Sequence, residues 1–151
     1  MYDLLKYIHI LAAIVWVGGA FIIQMLAIQA SRSKDPSDLP RLGRDVGIVG
    51  GRVFPIASVI LLIAGAYLVT QRWSFSQAWV TISMVLWLAS LLSGALYLGP
   101  RSTKVGELFA AEGPTSEAGR ALMAQIFLIS RLELVSFAVI VFLMVFKPGS
   151  V

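Results

Sequence analysis

Few side chains in this chain could do chemistry, and those few lie in apolar runs. His9 is the only histidine among 151 residues, and there is no cysteine. It sits in Lys6-Tyr-Ile-His-Ile-Leu-Ala-Ala-Ile-Val-Trp-Val-Gly-Gly-Ala-Phe21. On a helix its face continues through Ala12, Ala13, Trp16, Gly19, Ala20, Ile23 and Ala27. Small residues around one tryptophan let another helix, or a flat cofactor, come close to the backbone. Histidine is a common axial ligand of haem iron. The other reading is a neutral imidazole that hydrogen-bonds across a bundle or reaches interfacial water. A second axial ligand would come from Met25, Met84, Met123 or Met144, from water, or from a second copy of the chain. Met144 is the best placed, because its segment ends on the same side as His9 begins.

Arg131 and Glu133, in Ile-Ser-Arg-Leu-Glu-Leu, are the other chemically loaded pair. A charge inside a bilayer costs about 2.5–3.5 kcal/mol on insertion scales. Two positions apart on a helix, the two side chains point to nearly opposite faces and do not pair. Arg131 lies roughly 6 Å inside its boundary, at 1.5 Å per residue from Phe127, and can snorkel out. Glu133 is shorter and deeper, so it needs a polar partner; Arg52, Gln24 and Tyr67 are candidates by depth.

Other chemistries are excluded. No carboxylate pair is spaced for acid–base work, and no glycine loop could cradle a phosphate. One histidine without cysteine cannot build a metal cluster within one chain. Glu133 is the sole acidic residue in an apolar run, so a chain of proton relays is missing. No basic stripe with interleaved aromatics exists, and nucleic acid is excluded as a partner.

These residues must be carried by membrane-spanning helices. The hydrophobic fraction is 58% and the charged fraction 13%, against about 45–50% and about 25% in soluble domains. Mean hydropathy is +0.86. A span needs about 20 apolar residues, and four segments qualify: about 4–28, 53–70, 78–98 and 122–146. Hydrocarbon offers no partner to free backbone groups, so each is helical. The first run is too long for a cleaved signal peptide and lacks its small-residue end.

The loop after the first span holds Arg32, Lys34, Arg41, Arg44 and Arg52, and the third loop holds Arg101, Lys104 and Arg120. The positive-inside rule places both in the cytoplasm and both termini outside. His9 then lies in the outer half, roughly 7 Å below a boundary at Leu4. Trp73 and Trp79 flank the short second loop as interfacial anchors. Asp38-Leu-Pro-Arg-Leu reads as a helix start capped by Asp38, ended by Gly47, Gly50 and Gly51. Arg52-Val-Phe-Pro55 opens the second span, with proline in a first turn and Arg52 as an anchor. Gly113-Pro-Thr-Ser-Glu reads as a break and a new start capped by Thr115, so the fourth helix begins in water near Ser116. Gly65 and Gly94 are small contact points for neighbouring helices.

A basic residue, then histidine, then Trp-x-Gly-Gly, carried here by Lys6, His9, Trp16, Gly18 and Gly19, resembles a broad bacterial group. It includes the membrane domain of copper resistance protein D and the HemJ-type porphyrinogen-oxidase membrane proteins. The Arg52-Val-Phe-Pro55 start, Gly65 and the Tyr97-Leu-Gly-Pro100 exit resemble a neighbouring family, the predicted four-helix integral membrane proteins of unknown function, over nearly the whole chain. The resemblance implies a multi-pass protein of the bacterial cytoplasmic (inner) membrane. The oxidase-like relatives imply haem b on His9 and a propionate on Arg131.

The expected fold is all-α: one four-transmembrane-helix bundle over 1–151, N-out and C-out, with pairs one–two and three–four antiparallel. Three functions are expected in turn. The first is a haem-associated or redox-linked protein with His9 as iron ligand, and with Trp16, Gly19, Arg131 and Met144 around the cofactor. The second is a non-catalytic subunit, assembly or scaffold protein of a larger membrane complex. The third is a small dimeric transporter using Glu133. The lipid bilayer is the common partner, and small-residue faces on the first and third helices suit a homodimer.

Overall fold

The computed structural model describes residues 1–151 except Pro36, Pro114, Ser150 and Val151. Four helices, each apolar and long enough to cross a membrane, make up the chain: α1 Tyr2–Arg32, α2 Asp38–Arg72, α3 Ala78–Glu112 and α4 Glu117–Phe146. Each contains one of the expected spans. Side chains such as Ile14, Ile63, Val85 and Val135 are more than half exposed on the outside of the bundle. That is the surface hydrocarbon solvates.

The helices pack antiparallel as α1 on α2 and α3 on α4, and α2 also runs along α3. One end of the bundle carries Tyr2, Trp73 and Phe146, here the terminal end. At the opposite end α2 and α3 go on as a helical stalk. Both are 35 residues long, about 52 Å at 1.5 Å per residue, well beyond a hydrocarbon core of about 30 Å.

The stalk corrects the expected break at Gly47, Gly50 and Gly51, since α2 is unbroken from Asp38 to Arg72. Glycine costs about 1 kcal/mol in an isolated helix, but here it allows a contact. A Cβ on Gly43 would lie 2.8 Å from the Gly106 Cα and 2.9 Å from the Ser102 carbonyl oxygen. The two backbones touch, and Gly47 faces the Thr103 hydroxyl in the same seam. Pro55 accordingly lies inside a long helix, not in its first turn. It removes one backbone donor near the point where the stalk meets the apolar segment.

The turns also differ by single residues from the expected caps. Ser37, not Asp38, precedes the first turn of α2. Asp35 Oδ1 accepts from the Ser37 amide at 2.8 Å and the Ser37 hydroxyl at 2.7 Å. These bonds hold the Asp35 carboxyl below its ordinary range. Between α3 and α4, Gly113 adopts φ +80°, the left-handed conformation that ends helices. Ser116, not Thr115, caps α4, accepting from the Gly119 amide at 3.0 Å. Phe109 fills the space beside Gly119 and closes that turn.

Neither α1 nor α3 is a regular helix. Ile14–Gly18 in α1 and Gly94–Leu98 in α3 are π turns. Each inserts a wide turn that re-aims the side chains beyond it, and such insertions are often found at functional sites.

The Gly43–Gly106 seam makes a clear prediction. Gly43→Val forces backbones apart and should destabilise the purified protein by about 1–3 kcal/mol, as overpacking does. Gly51→Ala adds a Cβ with nothing within 4 Å and should be neutral or slightly stabilising. Thermal unfolding of the two variants in one detergent checks both.

Candidate functional site

Two cavities lie end to end along the bundle. They meet at a layer in which Trp16 of α1 packs on Phe137 of α4, ring centroids 5.0 Å apart and tilted by 46°. Ala12, Ala57 and Leu61 complete this buried cluster. Trp16 and Phe137 line both cavities.

The cavity at the terminal end is the larger, about 710 Å³, and all four helices contribute to it. Binding sites for small molecules commonly enclose about 300–1,000 Å³. His9, Ala13 and Trp16 line it from α1, and Gly65 and Leu68 from α2. Met84 and Trp87 come from α3, and Met144 from α4. The terminal half of α1 packs on α2 and stands away from α4. Ile14, Val141 and Val145 line the cavity yet are exposed, so it opens sideways between α1 and α4.

His9 is held by a specific device. Its Nδ1 lies 3.1 Å from the Leu61 carbonyl oxygen of α2. A carbonyl only accepts, so Nδ1 carries the proton and donates. The lone pair of the neutral ring is then on Nε2, which has no hydrogen-bond partner among the described residues. The ring reaches Leu61 because residue 65, one turn on, is glycine. A Cβ there would lie 2.9 Å from His9 Cε1 and 3.2 Å from Nδ1. Gly65 is thus a contact point, as its small size suggests, and what it contacts is the imidazole.

Further polar groups face the same space. Trp79 is only 2% exposed and packs edge-on against Trp73, with centroids 5.6 Å apart. That corrects its reading as an interfacial anchor. The indole nitrogens of Trp79 and Trp87 are buried without a partner, although each residue lines the cavity. Cations gather on aromatic faces at the rim. Lys6 and Arg72 lie over the Tyr2 ring, and Lys147 lies over Trp73 at 5.2 Å.

The structure does not bring every candidate residue together. His9, Trp16 and Met144 share the large cavity, and Met84 joins them. Gly19 lines neither cavity; it faces the Phe54 ring, 2.8 Å from where a Cβ would lie. Arg131 is exposed on α4 and lines neither.

Glu133 belongs to the second, smaller cavity, of about 140 Å³. Of its three candidate partners by depth, Gln24 lines that cavity, whereas Arg52 and Tyr67 do not. Ser93 of α3 is a polar neighbour of the Glu133 carboxyl, and Oε1 is buried without a hydrogen-bond partner among the described residues. Sequence offers no sign of Ser93, because a lone serine on an apolar helix has no distinctive spacing.

The Gly65–His9 contact is testable with the chain's only histidine. In protein labelled with ¹⁵N-histidine, a single imidazole pair should report Nδ1 protonated and Nε2 unprotonated. Gly65→Ala pushes the ring off Leu61, a loss of about 1 kcal/mol for one hydrogen bond. The ¹⁵N shifts should then move toward a mixture of tautomers. Unchanged shifts in Gly65→Ala contradict the arrangement.

Comparison with known proteins places the chain by family alone. No curated protein and no solved structure matches it. A family model described as "Predicted integral membrane protein (DUF2269)" matches residues 3–148. With that match over nearly its whole length, on four helices long and apolar enough to span, the chain belongs to the DUF2269 family of integral membrane proteins, whose function is unknown.

Proposed function

We propose that this integral membrane protein binds haem b in the large cavity, with His9 Nε2 as axial ligand, in a redox or haem-handling role. The observation that carries the reading is the His9 hydrogen bond. Metal-ligating histidines characteristically donate their other ring N–H to a carbonyl or carboxylate, which fixes the tautomer and the ring plane. His9 has that arrangement, and its remaining nitrogen is unpartnered beside a space of about 710 Å³.

The rest of the lining fits the same group. A porphyrin is flat, apolar over its face and acidic at one edge. Walls of leucine, valine and tryptophan suit the face. Lys6 and Lys147 at the rim suit the propionates, a role the family resemblance gave to Arg131, which lies elsewhere. The unpartnered indole N–H groups of Trp79 and Trp87 are further donors for an acidic or carbonyl edge. Met144, Met84, water or a second copy of the chain would complete the iron's coordination. Bound haem would supply one-electron chemistry. The chain's part is to ligate the iron, hold the ring and exclude water. Under the positive-inside rule the cavity lies in the outer half of the bacterial cytoplasmic membrane.

Absorption spectroscopy tests this directly. Protein expressed with ample haem should show a Soret band after purification. In His9→Ala that band should be lost, or haem affinity should fall by about tenfold or more, at least about 1.4 kcal/mol. Lys6→Gln with Lys147→Gln should weaken haem binding while leaving the band position unchanged, because the iron ligand is intact. A colourless wild-type protein overturns the proposal. The sideways-open cavity would then suit an acyl or isoprenoid chain, the expectation for a non-catalytic membrane subunit.

A further inference from the structure

The smaller cavity has no part in haem binding, and its chemistry is different. It runs from the Trp16–Phe137 layer to Leu39 of α2 and Met123 of α4 at the stalk end. Gln24, Ser90, Ser102, Ser130 and Glu133 give it a polar lining. Gln24 is only 4% exposed, and its Nε2 has no partner. Glu133 Oε1 is buried and equally unpartnered. One is a donor and the other an acceptor, both face one space, and they do not bond to each other.

Buried polar groups left so are generally satisfied by water. A cavity of about 140 Å³ has room for several waters. The wide turn of α3 borders it through Gly94, Ala95 and Leu98. That of α1 touches it through Trp16 alone, while Ile14, Val17 and Gly18 line the larger cavity.

Glu133 stands alone there electrically. Among the described residues lining the cavity, from all four helices, it is the only titratable side chain. Its polar neighbour Ser93 is neutral, and Arg131 is exposed elsewhere on α4. Among the described residues no cation lines its cavity to hold a fixed negative charge, whereas water can both give and take a proton.

We propose that this cavity is a hydrated proton-binding site in which Glu133 exchanges a proton with water from the stalk end and Gln24 positions that water. In the forward step the carboxyl O–H bond breaks and its proton joins a cavity water as hydronium. The carboxylate left behind accepts a hydrogen bond from the water that Gln24 holds. The reverse step restores the carboxyl, and no electrons change hands. The Trp16–Phe137 layer closes the way to the larger cavity, so exchange takes place from one side only.

Carbodiimide labelling of the full chain in liposomes tests this. An apolar carbodiimide, dicyclohexylcarbodiimide, adds to a protonated carboxyl in an apolar site, and peptide mass spectrometry locates the adduct. Labelling at Glu133 should be strong at mildly acidic pH and fall about tenfold per pH unit above its midpoint, as for one titrating group. Glu133→Gln should abolish it, and Gln24→Leu should shift the midpoint. His9→Ala, which acts in the other cavity, should leave it unchanged, so this result is independent of haem binding. Absence of the adduct at every pH overturns the proposal. So does labelling that is constant from about pH 5 to about pH 9, because that carboxyl would be permanently protonated.

Discussion

The contact between Trp16 and Phe137 decides what the rest of the bundle can be. Four helices around one apolar layer have two directions in which to diverge, and both divergences are used. Toward the termini, α1 leans on α2 and leaves α4, and the space between becomes the large cavity. Toward the stalk, α2 and α3 close on each other through Gly43 and Gly106. The remaining space there shrinks to a small polar pocket. The aromatic pair, with Ala12, Ala57 and Leu61 around it, lies between the two spaces.

The two cavities obey different rules because their polar groups are satisfied differently. In the large one, the imidazole meets its need through a backbone carbonyl, and Gly65 makes that carbonyl reachable. A carbonyl in a helix already accepts one amide proton and has a second lone pair to offer. His9 therefore gains a fixed orientation without disturbing α2. In the small one, amide, hydroxyls and carboxyl share the space, and the donor of Gln24 and one oxygen of Glu133 have no protein partner. A fixed imidazole suits ligation, and an unmet donor beside an unmet acceptor suits water, which can serve both; the unmet groups of the large cavity, the Trp79 and Trp87 indoles, are donors only.

The four spans were legible because the bilayer imposes length and polarity on sequence directly. Gly65 was legible as a contact for the same reason, since a small residue in an apolar helix marks close approach. The stalk was not. Gly47, Gly50 and Gly51 suggest a break when judged by intrinsic propensity, but a tertiary contact at Gly43 and Gly106 outweighs that penalty. Ser116 and Thr115 are both good caps, and only the finished turn chooses between them. The acceptor for His9 is a main-chain oxygen, which leaves no mark on sequence. Trp79 carries the composition of an interfacial residue, and its burial depends on Trp73, Val80 and Leu143 closing around it. The π turns have no residue signature at all.

Position of charge ties these features together. Lys6 and Lys147 line the mouth of the large cavity on aromatic faces, and Arg72 lies over the Tyr2 ring beside it. Cation–π contacts of this kind hold a positive charge near an apolar surface. Glu133 shows the opposite arrangement, an acid beside hydroxyls and an amide with no cation among the described residues lining its cavity. A cavity with cations at its rim and a cavity with a lone carboxyl are thus separated by a single layer around Trp16 and Phe137. That separation gives each cavity its own side of the bundle, and it makes Trp16 and Phe137, which line both spaces, the residues through which either could affect the other.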